Sequence, residues 1–413
     1  MLRALVLILA GPPWQTPPVE VRQHVQRGYT LSQNGDLKGA EAELRQAITL
    51  APNDPVALAV LGTILSQPPR LEEADIWLER ALKLDPGETN TRYNLAFNLF
   101  RLDKLDAART NLERILKQKP DHKEAKSLLA AIGVKTRYDA AFAQYRAGHF
   151  SASQALLEQM TREAIRDANV FRLLAWCHHR QNRPDEALAA MRQAIEIAPG
   201  DATSYTGAAQ LLLAERNFRA ASGAVDKALE LAPGDAQAWK VKGMVETERG
   251  DLKAGLEAFA RATKLDPTDP EAWQRLGTAQ RLLFRYPEAA ATFQQGIASF
   301  PGYARLYAAF AELLTDPGSH PDAASEARAV ELLRKAVALD ASLAAAHYQL
   351  GTVLLEEGKA GDALPYLERA ASLEPGNSAA HLAVANAYRD LGRVGEQAKA
   401  LVRYREIERS KSK

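Results

Sequence analysis

An all-α fold, a right-handed superhelical solenoid of antiparallel helix hairpins, is the class this sequence predicts, on two observations. Pro52, Pro86 and Pro120 stand 34 residues apart, as do Pro199, Pro233, Pro267 and Pro301. A fixed period of that size marks stacked two-helix units, each burying its surface against its neighbours instead of around one core. Composition agrees, since 46% hydrophobic residues with only 7% aromatics and abundant alanine favour closely packed helices over sheet.

Setting each of these prolines at position 32 of a unit aligns the rest. In the first helix, position four often carries a ring: Phe171, Tyr205, Trp239, Trp273, Tyr307, His347 and His381. Position eight is small, as at Gly28, Gly62, Ala96, Gly243, Gly277 and Gly351. Gly35, Gly250 and Gly392 then mark a turn where a left-handed residue closes the first helix. In the second helix position twenty is again small (Ala40, Ala74, Ala187, Gly255, Ala289), and position twenty-four is a large apolar plug (Leu44, Leu78, Met191, Phe259, Phe293). Small residues opposite a plug let two antiparallel helices cross closely. The proline stops the second helix, and pairings such as Pro199-Gly200-Asp201 supply turn and capping chemistry for the next unit.

The pattern resembles the tetratricopeptide repeat (TPR). Trp273-Gln274-Arg275-Leu276-Gly277 with Ala289, Phe293 and Pro301 is its clearest copy, and Trp239, Gly243, Phe259, Ala262 and Pro267 form another. The resemblance spans residues 21–411 and implies a TPR-like α-α superhelix of eleven units: 21–54, 55–88, 89–122, 134–167, 168–201, 202–235, 236–269, 270–303, 304–343, 344–377 and 378–411. The expected organisation is a segment 1–20, repeats one to three over 21–122, an insertion with a degenerate fourth repeat over 123–167, repeats five to ten over 168–377, and a C-terminal repeat or cap over 378–413. The eleven extra residues Lys123–Gly133 read as helix, close to three turns, a length that extends a helix without rotating its apolar face. A break or a long helix there divides 21–122 from 134–411. Thr315–Pro321 reads as an inserted loop.

Charge is balanced, 52 Lys+Arg against 51 Asp+Glu, which argues against the basic groove a nucleic-acid partner needs. Cys177 is the one cysteine, so neither an internal disulfide nor a cysteine-based zinc cluster can form. Its neighbours His178 and His179 point in different directions on a helix and do not converge on an ion. No phosphate loop, nucleophile elbow or metallohydrolase motif is present; no cofactor is expected, and the chain is not expected to be an enzyme. Met1-Leu2-Arg3 and the apolar run Ala4–Ala10 read as a short secretory signal, too short to span a bilayer. That expectation places the protein in the periplasm or cell envelope; without it, the cytoplasm.

The resemblance also implies that positions two, five, nine and twelve of the first helices face a concave groove. Those positions give Tyr93, Phe97 and Phe100; Asn169, Arg172, Trp176 and His179; Lys240 and Met244; Gln274, Thr278 and Arg281; and Tyr348. Rings and arginines in a groove are common anchors for a peptide. The carboxylate clamp of chaperone-tail adaptors is absent, because Lys240 and Asn94 stand isolated among Val25, Ala59, Thr206 and Ala308. The asparagine ladder of sugar-transferring relatives is absent too. The expectation is a non-catalytic scaffold holding a protein or peptide partner, and the alternative is a recruiting subunit of a separately encoded enzyme.

Overall fold

The computed structural model describes residues 17–411. The signal-like run lies outside them. The described residues form helices joined by short turns, with no strand among them, in two compact units meeting in sequence at Arg166 and Asp167.

Unit 1 holds α1 (Val19–Gln33), α2 (Leu37–Leu50), α3 (Pro55–Leu65), α4 (Leu71–Leu84), α5 (Thr89–Arg101), α6 (Leu105–Gln118), α7 (Lys123–Arg146) and α8 (Phe150–Arg162). Unit 2 holds α9 (Ala168–Arg180), α10 (Pro184–Ile197), α11 (Ala202–Ala214), α12 (Phe218–Leu231), α13 (Ala236–Glu248), α14 (Leu252–Leu265), α15 (Pro270–Leu282) and α16 (Tyr286–Ser299). It continues with α17 (Ala304–Leu314), α18 (Ala323–Leu339), α19 (Ala344–Glu356), α20 (Ala360–Leu373), α21 (Ser378–Asp390) and α22 (Val394–Lys411). Within each unit every helix packs on the next, and the first helices of most neighbouring hairpins also touch. This is the expected solenoid architecture of sequential hairpins.

The register of the repeat is visible in the packing. A Cβ added to Gly243 would stand 2.5 Å from Phe259, and one added to Gly277 would stand 2.5 Å from Phe293. Those separations are far inside van der Waals contact, so the glycine at position eight is what admits a phenylalanine plug at position twenty-four. Ala40, Ala74, Ala187 and Ala289 at position twenty are fully buried, where a larger side chain would part the helices.

The intra-hairpin turn is more general than its glycines. Asp103, Asn182, Arg216 and Phe284 adopt positive φ of 56 to 61° at the same position as Gly35, Gly250 and Gly392. Most first helices therefore close with a left-handed residue whether or not glycine supplies it, α3 and α17 being the exceptions. Aspartates cap the next helices: Asp54, Asp201, Asp235 and Asp269 accept from backbone N–H groups two or three residues on.

Residues 123–133 are the first half of α7, which runs unbroken for 24 residues. Ala125, Leu128 and Ile132 in that half join the core of α5 and α6. The second half packs on α8. Residues 315–322 are a loop containing one 3-10 turn, Pro317–Ser319. The last helix, α22, buries only Ile407.

Candidate functional site

In unit 1 the inner face is amide- and ring-rich. Tyr93, Phe97 and Phe100 lie on α5 and are all half-buried. Tyr93 stacks on Phe97 at 6.4 Å and on His122 at 5.8 Å between ring centres. Beside them a recess of about 360 Å³ is lined by Ser32, Leu37, Thr63, Ile64, Ser66, Gln67, Asn94, Phe97, Asn98 and Arg101.

Its polar groups are ordered by the helices beneath. Thr63 and Ser66 donate to the carbonyls of Ala59 and Gly62 within α3, both at 2.8 Å. Their oxygens then accept from the amides of Asn94 at 3.0 Å and Asn98 at 2.8 Å. Arg101 donates to the Ser66 carbonyl at 2.8 Å and lies over the Phe97 ring at 5.9 Å. On α4, Asp75 is only 6% exposed, and neither of its carboxylate oxygens has a hydrogen-bond partner. Burial pushes its pKa above the usual aspartate value, opposed by the Asn98 side chain and the charge of Lys104.

In unit 2 the cations expected in a groove are tied down instead. Arg172 binds Asp201 and Asn169. Lys240 is 8% exposed and donates to Asp269 at 2.7 Å and Glu271 at 3.0 Å. Burial works against its ammonium, yet the two carboxylates outweigh that and hold its pKa above the ordinary lysine value. Arg281 donates to Asp316 at 2.8 Å and Glu312 at 2.7 Å. For Arg172 and Lys240 the cause is geometric: position five lies opposite the aspartate that caps the next first helix, 29 residues on. These side chains are internal ties.

The other expected residues of unit 2 divide. Met244, Gln274 and Thr278 line a recess of about 430 Å³ together with Phe218, Phe259 and Leu282. Trp176 and His179 are half-buried, meeting edge to face at 5.7 Å. Tyr348 packs against the core of α19 and α20. Cys177 and His178 are buried while His179 is not. Among the described residues no cluster of three His, Cys, Asp or Glu side chains could hold a metal ion, and no helix is long and apolar enough to cross a membrane.

Two features escaped the sequence reading. The ring at position four is a hook as well as a spacer: Trp239, Trp273 and Tyr307 donate to the carbonyls of Pro233, Pro267 and Pro301 at 2.9, 3.1 and 3.0 Å. His347 and His381 reach Ala341 and Pro375 in the same way, both at 3.2 Å. The six-residue spacing was the available signal. The second is on α7, where Tyr138, Phe142 and Tyr145 occupy positions five, nine and twelve of the degenerate repeat, with Tyr138 stacked on Phe142 at 6.3 Å. The same register that selected Tyr93, Phe97 and Phe100 would have found them.

Family models described as tetratricopeptide repeat match residues 25–89, 138–202 and 206–270, and a second model of that description matches 77–132 and 354–409. The chain belongs to the tetratricopeptide-repeat family. Solved structures with the same TPR-type fold include yeast Tom70, 17% identical with a TM-score of 0.51, covering 94% of this chain and 92% of that one. Another is the APC/C hetero-tetramer Cut9-Hcn1, 14% identical with a TM-score of 0.51, covering 94% of both chains. At those identities the likeness establishes the TPR fold. No curated protein matches the sequence significantly.

Proposed function

We propose that this TPR protein is a non-catalytic interaction scaffold that binds a peptide or partner segment on its inner face. Membership of a family whose repeats serve protein–protein interaction supports the reading. The observation that carries it is the unit 1 recess, where Phe97, Ile64 and Leu37 offer apolar surface beside ordered amides and hydroxyls. An apolar floor with a few placed polar groups is the usual composition of a binding recess.

Cross-linking in the native cell, followed by capture of wild type beside Phe97→Ala, tests it. Partners lost in the variant while its unfolding midpoint is kept support an inner-face scaffold. Partners retained in full would move binding off this face and overturn the assignment.

A further inference from the structure

We propose that the unit 1 recess takes an extended acidic peptide, one that lays a carboxylate against Arg101 and seats a neighbouring apolar side chain among Leu37, Ile64 and Phe97. This rests on the scaffold reading and adds the chemistry of the occupant.

Charge is the first argument. Arg101 is the only charged residue among the ten that line the recess. Its contacts are the Ser66 carbonyl and the Phe97 ring, and among the described residues no carboxylate pairs with it. The contrast with unit 2 is direct, since Arg172, Lys240 and Arg281 are each neutralised by carboxylates of their own chain. Arg101 is exposed at the edge of the recess, and a cation without a carboxylate partner beside apolar surface attracts an incoming anion. The guanidinium is also held in place, one nitrogen bonded to the Ser66 carbonyl and its carbon 5.9 Å from the centre of the Phe97 ring. Its remaining N–H groups can meet a carboxylate in the planar, two-pronged geometry that arginine favours.

Hydrogen-bonding capacity is the second argument, and it selects an extended chain over a helix. The Asn94 amide commits its Nδ2 to Thr63, leaving its Oδ1 as an acceptor. A helical occupant has already used nearly all its backbone N–H groups within itself, whereas an extended segment presents free ones. Alternate side chains of such a segment leave on opposite sides, so an acidic residue can reach Arg101 while its neighbour enters the apolar end.

The test selects a random octapeptide library displayed on bacteriophage against the purified full chain, then measures the enriched peptides by fluorescence anisotropy. The expected result is enrichment of Asp or Glu beside Leu, Ile, Val or Phe, with affinity falling as sodium chloride rises. Arg101→Gln should weaken binding roughly tenfold, the scale of a lost charge-assisted contact, and Arg101→Lys should restore part of it. Far-ultraviolet circular dichroism and an unchanged unfolding midpoint keep a folding defect from imitating that loss. Enriched peptides without acidic bias, still lost on Phe97→Ala, would overturn the acidic chemistry and leave the scaffold reading standing. Acidic peptides that bind Arg101→Gln undiminished would overturn the site. No enrichment at all would overturn both.

Discussion

The inner faces of the two units are built on one repeat yet handle charge in opposite ways. In unit 2, two repeats carry a cation at position five, Arg172 and Lys240, each joined to the aspartate capping the next first helix. In unit 1, position five is Val25, Ala59, Tyr93 or Tyr138, none of them a cation, and the capping residues Asp54, Glu88 and His122 meet no position-five cation. Arg101, at position thirteen, meets no cap and keeps its charge available. The difference teaches that a cation on the inner face of this fold is free for a partner only where the register keeps it away from the capping acid.

Breaking that contrast should give the largest effect at Lys240. Lys240→Met leaves Asp269 and Glu271 without their shared partner, and unit 2 should lose about 2–3 kcal/mol. Arg101→Met should cost less than about 0.5 kcal/mol, as for a surface change. Urea unfolding followed by circular dichroism compares them, and equal losses would end the distinction between tied and available cations.

A smaller and opposite effect is expected at Asp75. Three repeats of unit 2 carry leucine at position twenty-one, Leu188, Leu256 and Leu364, whereas the second repeat of unit 1 carries Asp75 there, and its carboxyl is buried without a partner. Asp75→Leu should stabilise unit 1 by about 1–2 kcal/mol at neutral pH. Because its folded pKa is raised, the folded state holds the proton more tightly than the unfolded chain. The wild type should therefore lose stability as pH rises from below the unfolded carboxyl pKa through the folded one, and Asp75→Leu should lack that component. A variant with the wild-type pH profile would refute the assignment.

Next is Trp273→Phe, which keeps the ring but removes its bond to the Pro267 carbonyl; the expected cost is about 1 kcal/mol. In unit 1 the equivalent contact is made by Arg92 to Pro86 at 2.6 Å, so Arg92→Leu asks whether the hook needs a ring. The smallest change is at Phe284, 75% exposed with φ of 58°. Phe284→Gly should stabilise by about 0.5–1 kcal/mol by relieving a left-handed conformation disfavoured for side chains. A loss of stability there would show that the ring holds something.

The scaffold was legible because its signals are periodic. A proline, a small residue and a plug recurring at fixed spacing need no knowledge of distant contacts. The inner face was legible as a set of positions but not as chemistry. Sequence places Arg172, Lys240 and Arg281 on that face, but their carboxylate partners lie 29 to 35 residues away, a separation set by how hairpins stack. Position thirteen lies outside the groove positions that the family resemblance implies, so the sequence singles out Phe97 but not Arg101 beside it. Asp75 reads as an ordinary solvated acid until the packing of α4 against α5 encloses it.

The long helix α7 has a consequence for how such a chain can change over generations. Its first half does the docking, with Ala125 and Ile132 fully buried against the preceding hairpin. Thr136 and Ala143, eleven residues on from Ala125 and Ile132, are both exposed. Three added turns have thus split one job between two stretches of a single rod: the first half fits the preceding hairpin, while the second half packs on α8 through residues such as the fully buried Ala141. The outward positions of that second half thus escape the packing constraint that holds every other first helix to small or apolar residues, and variation can collect there without parting the stack.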